Sequence, residues 1–205
     1  MLNSQNDLMA EPLEASNDQD LILAVQEGSL EALGVIYDRH RRLVYRTAMA
    51  ICNDSEAAAD LLQDVFLRLF RFARRIDPQR PLEPWLYRVT TNLAYSWVKR
   101  RHRWMHSLEE IAERMNTGRK YSPQYLAELD EDSQRIHQAL ARLPLPQRVV
   151  VVLYYINDLS LQEIAEIVKI PEGTVKSRLH YGRLALRQYL GLDNPSLPEL
   201  GYEFT

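Results

Sequence analysis

The sequence predicts an all-α chain of two small helical domains joined by a flexible linker. Three observations carry that expectation. Long runs repeat their apolar residues at helical spacing. Glycine is scarce, 7 in 205 residues. The one run that reads locally as a strand, residues 149–155, has helical patterns on both sides and no second strand to pair with. The expected organisation is a disordered segment 1–17, a first domain 18–105, a linker 106–132, a second domain 133–191 and a loose tail 192–205.

Asp18 or Asp20 can cap a first helix through Val25, and Ser29 can cap the next. In that second helix Leu33, Ile36, Tyr37, Leu43, Val44 and Ala48 are apolar, with Arg39, Arg41, Arg42 and Arg46 alongside. The helix ends in Ala48-Met49-Ala50-Ile51, so Cys52 reads as a small buried core residue. As the single cysteine it excludes an internal disulfide and a multi-cysteine metal site.

Asn53 followed by Glu56 gives a capping-box pattern before the most regular helix of the chain. Leu61, Leu62, Val65, Phe66, Leu69, Phe70 and Ala73 define its buried face. At about 100° per residue, Asp60, Gln63, Asp64, Leu67 and Arg71 fall together on the opposite side. Two acids, an amide, an apolar residue and an arginine in one stripe read as a docking surface for a partner. The alternative is a solvated face, since single exposed leucines are common.

Residues 77–84 hold three prolines and read as a stiff loop, and Trp85 opens the next helix. Leu86, Val89, Leu93 and Trp97 share one face. Arg88, Asn92, Tyr95, Lys99 and Arg103 share another, continued by Arg100, Arg101 and His102. Cations attract phosphate, asparagine can read a base edge, and tyrosine can stack on an unpaired base. The aromatic and the amide among the cations favour nucleic acid over a merely solvated charge run.

Met115-Asn116-Thr117-Gly118 and Tyr121-Ser122-Pro123 interrupt helical spacing in the linker. Ile136, Ala139, Leu140 and Leu143 restore it before Pro144-Leu145-Pro146, and the apolar run up to Asn157-Asp158 is read as helix. Ser160 and Glu163 make a capping box, so a short helix starts at Leu161 with Ile164, Ala165 and Val168 on its apolar side. Lys169 to Gly173 turn the chain. A second helix follows, with Val175 and Leu179 inward and Thr174, Lys176, Ser177, His180, Tyr181 and Arg183 outward. A short helix, a tight turn and a polar-faced helix form a helix-turn-helix, whose second helix fits the major groove.

The formal net charge of −3 conceals strong segregation. Residues 1–38 and 188–205 contain no Lys or Arg, whereas residues 39–103 hold 14 basic against 6 acidic residues. A basic block between acidic segments suits a polyanion. The acidic, polar N-terminus is unlike a secretory signal and no transmembrane run is visible, so a cytoplasmic protein without membrane insertion is expected. His40, His102, His106, His137 and His180 are scattered and read as surface residues. No Gly-rich phosphate loop, nucleophile elbow or metal-ligand spacing points to an enzyme, a metal or a cofactor.

Taken together, AADLLQDVFLRLF and PWLYRVTTNLAYSWVKRRHR in the first half, and LPLPQRVVVVLYYINDLSLQEIAEIVKIPEGTVKSRLHYGRLALR in the second, resemble an extracytoplasmic-function sigma factor of bacterial RNA polymerase. The resemblance covers about residues 20–105 and 133–190. It implies sigma regions 2 and 4, core RNA polymerase and promoter DNA as partners, and an anti-sigma factor. The stripe of Asp60, Gln63, Asp64, Leu67 and Arg71 would grip the β′ clamp helices. Arg88, Asn92, Tyr95, Lys99, Arg100, Arg101 and Arg103 would serve −10 recognition and melting, with Asn92 at a position that contacts an extruded base. Region 4 would bind the β flap and read the −35 element with Thr174, Lys176, Ser177, Arg178, His180, Tyr181 and Arg183. Tyr181 stands where relatives often carry arginine, and it cannot make a bidentate guanine contact. Two other readings remain on the residues alone: an ordinary helix-turn-helix regulator with an effector domain, and a protein-interaction module that touches no DNA.

Overall fold

In a computed structural model of the chain, the described residues are 15–112 and 131–192, with side chains placed for 15–103 and 133–192. The described part contains α1 (Asp18–Gln26), α2 (Leu30–Cys52), α3 (Ser55–Phe72), a 3-10 turn (Ala73–Arg75), α4 (Glu83–Ala112), α5 (Glu131–Arg142), α6 (Leu145–Tyr155), α7 (Leu161–Val168) and α8 (Glu172–Leu190). Among the described residues there is no strand, and the 149–155 run is helical as expected. No described helix is long and apolar enough to cross a membrane.

Local signals place the helix starts to within a few residues, and the differences have simple causes. The N-cap of α1 is Asn17, not Asp18 or Asp20; its side chain accepts from the Asp20 amide. Asp18 is thereby released to pair with Arg39 and His40. The N-cap of α3 is Asp54, which accepts from the Ala57 amide, rather than Asn53. Asn53 instead ends α2 in the left-handed conformation that asparagine tolerates. Ser29 caps α2 as expected.

Helix α4 starts at Glu83, ahead of Trp85, because Pro84 falls in the first turn, where its missing N–H costs nothing. It continues through Ala112, past the expected end of the first domain at 105. Helix α5 starts at Glu131, just before the expected start of the second at 133. Most of the expected disordered segment, tail and linker lies outside the described residues; within the expected disordered segment, Asn17 is ordered as the cap of α1.

Helices α1 to α4 enclose one core around Leu21, Ile36, Val65, Leu69 and Leu86. A second buried cluster joins the ends of α2, α3 and α4 to α5, α6, α7 and α8. Cys52 is buried there as expected, and burial, with Asp54 nearby, pushes its thiol up to about 12. Two histidines expected on the surface are inside. His40 is buried against Asp18, and His137 is half-buried, with its pKa lowered by that burial. His102 and His180 are exposed, and the side chain of His106 lies outside the described ones. Asp18, His40 and Glu83 bring ligand-type atoms within 4.8 Å of one another. With Arg39 also on Asp18, these contacts tie α1 to α2 beside Glu83 at the start of α4.

The second unit depends on one close helix crossing. A Cβ built on Gly182 of α8 would lie 2.7 Å from Cγ2 of Val151 on α6. Val151 is buried and β-branched, so it has little freedom to move aside. Gly182→Ala gains about 1 kcal/mol of helix propensity. The overpacking should cost more, on the order of 1–3 kcal/mol. A lowered melting temperature is the expected result; an unchanged or raised one would contradict this packing.

Candidate nucleic-acid and partner-docking surfaces

The mixed stripe on α3 emerges as the spacing predicts. Asp60, Gln63, Asp64, Leu67 and Arg71 are all exposed, and Leu67 is 63% accessible. Phe70, expected in the core, is 39% accessible. It lies one turn beyond Leu67, so the apolar part of the stripe is wider than its sequence suggests. The core side of α3 holds Leu61, Val65, Phe66 and Leu69, with Phe66 edge-on to Tyr37 of α2.

On α4, Asn92, Lys99, Arg100 and Arg103 are exposed, while Arg88 and Tyr95 are partly covered. The Lys99 ammonium sits 4.8 Å from the Tyr95 ring centroid, a cation–π pair on one face. Arg101 departs from the expected group. It pairs with Asp54, the cap of α3, and lies over Trp97, tying α4 to the start of α3. Its proximity in sequence to Arg100 and Arg103 hides a structural role, because two successive residues on a helix point about 100° apart.

The helix-turn-helix is built as read. Ser160 and Glu163 form a complete capping box, and those hydrogen bonds hold the Glu163 carboxyl below its usual range. Lys169 turns the chain in the left-handed conformation, and Val175 and Leu179 of α8 are buried. Lys176, Ser177, His180 and Tyr181 are exposed, Tyr181 at 60%, while Thr174, Arg178 and Arg183 are partly covered. Lys176 pairs with Glu172 one turn earlier, and the Ser177 hydroxyl donates to the Thr174 carbonyl.

The main feature that no sequence motif announces is a polar seam between the two units. Arg148 of α6 is 6% accessible, and among the described residues no acid is hydrogen-bonded to it. Its guanidinium donates to Ile51 O at the end of α2 (2.7 Å) and to Ala141 O and Leu143 O at the end of α5. The negative ends of two helices thus stand in for a counter-ion. Burial lowers its pKa. Arg46 donates to Ile156 O, and Asn157 donates to Thr47 Oγ1 at 2.9 Å. Tyr87 of α4 lies close to Asn157, and burial raises its phenol pKa. A lone arginine before a valine run and an asparagine after it carry no sequence signal for contacts roughly 100 residues away.

This is the geometry of a two-part helical protein that combines a basic-aromatic helix in its first unit with a helix-turn-helix in its second. The sigma-70 region 2 family model matches residues 36–104, and the sigma-70 region 4 model matches residues 133–186. The chain is 34% identical over 178 residues to the ECF RNA polymerase sigma factor SigW of Bacillus subtilis, covering 82% of this chain and 94% of that one. It is 37% identical over 153 residues to SigE of Mycolicibacterium smegmatis, covering 74% and 59%. Among solved structures it is similar to CnrH in complex with the cytosolic domain of CnrY. That match has a TM-score of 0.64 and 22% identity, and it covers 86% of this chain and 99% of that one. It is also similar to RpoE in complex with the anti-sigma factor NepR from Bartonella quintana, with a TM-score of 0.59, 23% identity and coverage of 75% and 93%. The likeness to these two concerns the fold. The chain belongs to the ECF sigma factors of bacterial RNA polymerase, and its function is promoter recognition in transcription initiation.

Proposed function

We propose that the surfaces described above divide the work of initiation between them. The α3 stripe of Asp60, Gln63, Asp64, Leu67 and Arg71 docks on the β′ clamp helices of core polymerase. The observation that carries this is an exposed Leu67 ringed by exposed acids and an amide on a helix whose opposite face is core. Arg88, Asn92, Tyr95, Lys99, Arg100 and Arg103 serve the −10 element, the cations holding phosphates and Asn92 and Tyr95 meeting an unstacked base. Arg101 supports that face through Asp54 rather than through DNA. Residues 174–183 of α8 read the −35 element in the major groove, and region 4 contacts the β flap. The protein works in the cytoplasm as an initiation factor rather than an enzyme, and an anti-sigma factor regulates it. The solved relatives held by NepR and by the CnrY domain support that last point.

The phosphate-holding role has a direct test. Lys99→Ala should weaken binding of the holoenzyme to many promoter sequences alike. It should also reduce the slope of log affinity against log salt by about 1. An unchanged slope would remove Lys99 from the DNA surface.

A further inference from the structure

We propose that Asp18, His40 and Glu83 form a binding site for one divalent first-row transition-metal ion, which clips α1, α2 and the start of α4 together. Nε2 of His40 lies 2.7 Å from Oδ2 of Asp18, and one ligand-type atom of each residue lies within 4.8 Å of those of the other two. Metal–ligand bonds of about 2.0–2.2 Å hold the donors of one ion about 3–3.5 Å apart. Rotation of these side chains is enough to bring them onto one ion. An imidazole with two carboxylates suits zinc and its first-row neighbours, whereas magnesium and calcium prefer oxygen ligands alone. Sequence spacing cannot announce such a site, because its three ligands come from three different helices.

Three observations separate this group from an ordinary surface ion pair. His40 is 6% accessible on a helix whose Ile36 and Val44 are core, so its imidazole is held in place. Arg39 takes Oδ1 of Asp18 and leaves Oδ2 turned to His40, as an outer-shell partner of a metal-bound carboxylate does. The carboxylate of Glu83 has no hydrogen bond or ion pair to a described residue, although Glu83 is half-buried beside the other two. Two carboxylates thus face one imidazole, and the arginine engages only the far oxygen of Asp18. A divalent cation between them would remove their repulsion and take up the idle oxygens. Each ligand also rides on a helix fixed by buried neighbours: Leu21 in α1, Ile36 in α2, and Leu82 and Leu86 on either side of Glu83. Ligands carried on packed helices are positioned more precisely than ligands on loops. An ion bound to the folded chain would stabilise the first unit by mass action and hold the start of α4 against α1 and α2.

The test uses the full chain, stripped of metal with a chelator, titrated with zinc in a calorimeter and melted with and without zinc. The parent chain should bind zinc and melt at a higher temperature in its presence, and magnesium at the same concentration should leave the melting temperature unchanged. Glu83→Gln removes one charged ligand from a half-buried position at a helix start, a change the fold should tolerate. It should weaken zinc binding at least about tenfold, because loss of an outer-shell partner alone costs about 10–100-fold. Glu83→His supplies another zinc ligand at the same place and should recover most of the affinity. No zinc binding by the parent, or binding without a rise in melting temperature, would overturn the site. Equal zinc affinity in the parent, Glu83→Gln and Asp18→Asn would also overturn it, and would put the ion on exposed histidines such as His102. An equal shift with magnesium would overturn the transition-metal assignment.

Discussion

Asp64→Arg combined with Leu67→Ala should strongly weaken binding to core RNA polymerase and leave the helical fold intact. Both side chains are exposed on α3, so their loss should change stability by no more than about 0.5 kcal/mol. An apolar anchor ringed by polar groups is the pattern in which a few residues carry most of the binding energy. Each such anchor is worth about 2 kcal/mol or more, so the double variant should bind at least about 100-fold more weakly. Reversing the Asp64 charge adds repulsion wherever the partner presents cations. Phe70 beside Leu67 extends the apolar patch, and Phe70→Ser should add to the defect. Co-migration with core polymerase and circular dichroism are the two measurements. Normal binding with a normal spectrum would remove the docking role from this face.

Asn92→Ala should slow open-complex formation and leave closed-complex binding nearly unchanged. On the proposed reading, the cations at Lys99, Arg100 and Arg103 would hold phosphates whether the bases are paired or not. Asn92 can contact a base edge only when the base has left the stack. Extruding a base costs a few kcal/mol, and contacts to the extruded base offset that cost. Losing them should lower the opening rate about tenfold or more, and a premelted promoter bubble should restore much of it. Permanganate reactivity of unpaired thymines reports the step. Wild-type opening by the variant on duplex promoter would refute base capture, while the docking surface and the family would stand.

Much of the fold and of the α3 stripe is legible in the amino-acid sequence, and the boundary between legible and illegible is physical. Helical periods of α2, α3 and α4 and the capping box at Ser160 are local, so their residues announce them. The outward stripe of α3 follows from the same period that buries Leu61, Val65 and Leu69. Caps shift by one residue where two cap-forming residues stand together, at Asn17-Asp18 and Asn53-Asp54. In both places the aspartate also meets a partner across the fold, as the spare residue in the first pair and as the cap itself in the second. Arg101 meets Asp54, and His40 meets Asp18. Arg148, Thr47 and Asn157 are illegible for a related reason. Their roles exist only once residues roughly 100 positions apart are brought together, and no local pattern encodes that.

On the proposed division of work, this chain directs core polymerase to promoters through two separate DNA surfaces. Mapping transcript 5′ ends from a genomic fragment library, transcribed by core polymerase with and without the protein, tests it most directly. New start sites that share two sequence blocks at the −35 and −10 positions should appear. Those starts should disappear with Asp64→Arg/Leu67→Ala, and on duplex templates they should weaken with Asn92→Ala. Start sites identical to those of core polymerase alone would contradict it.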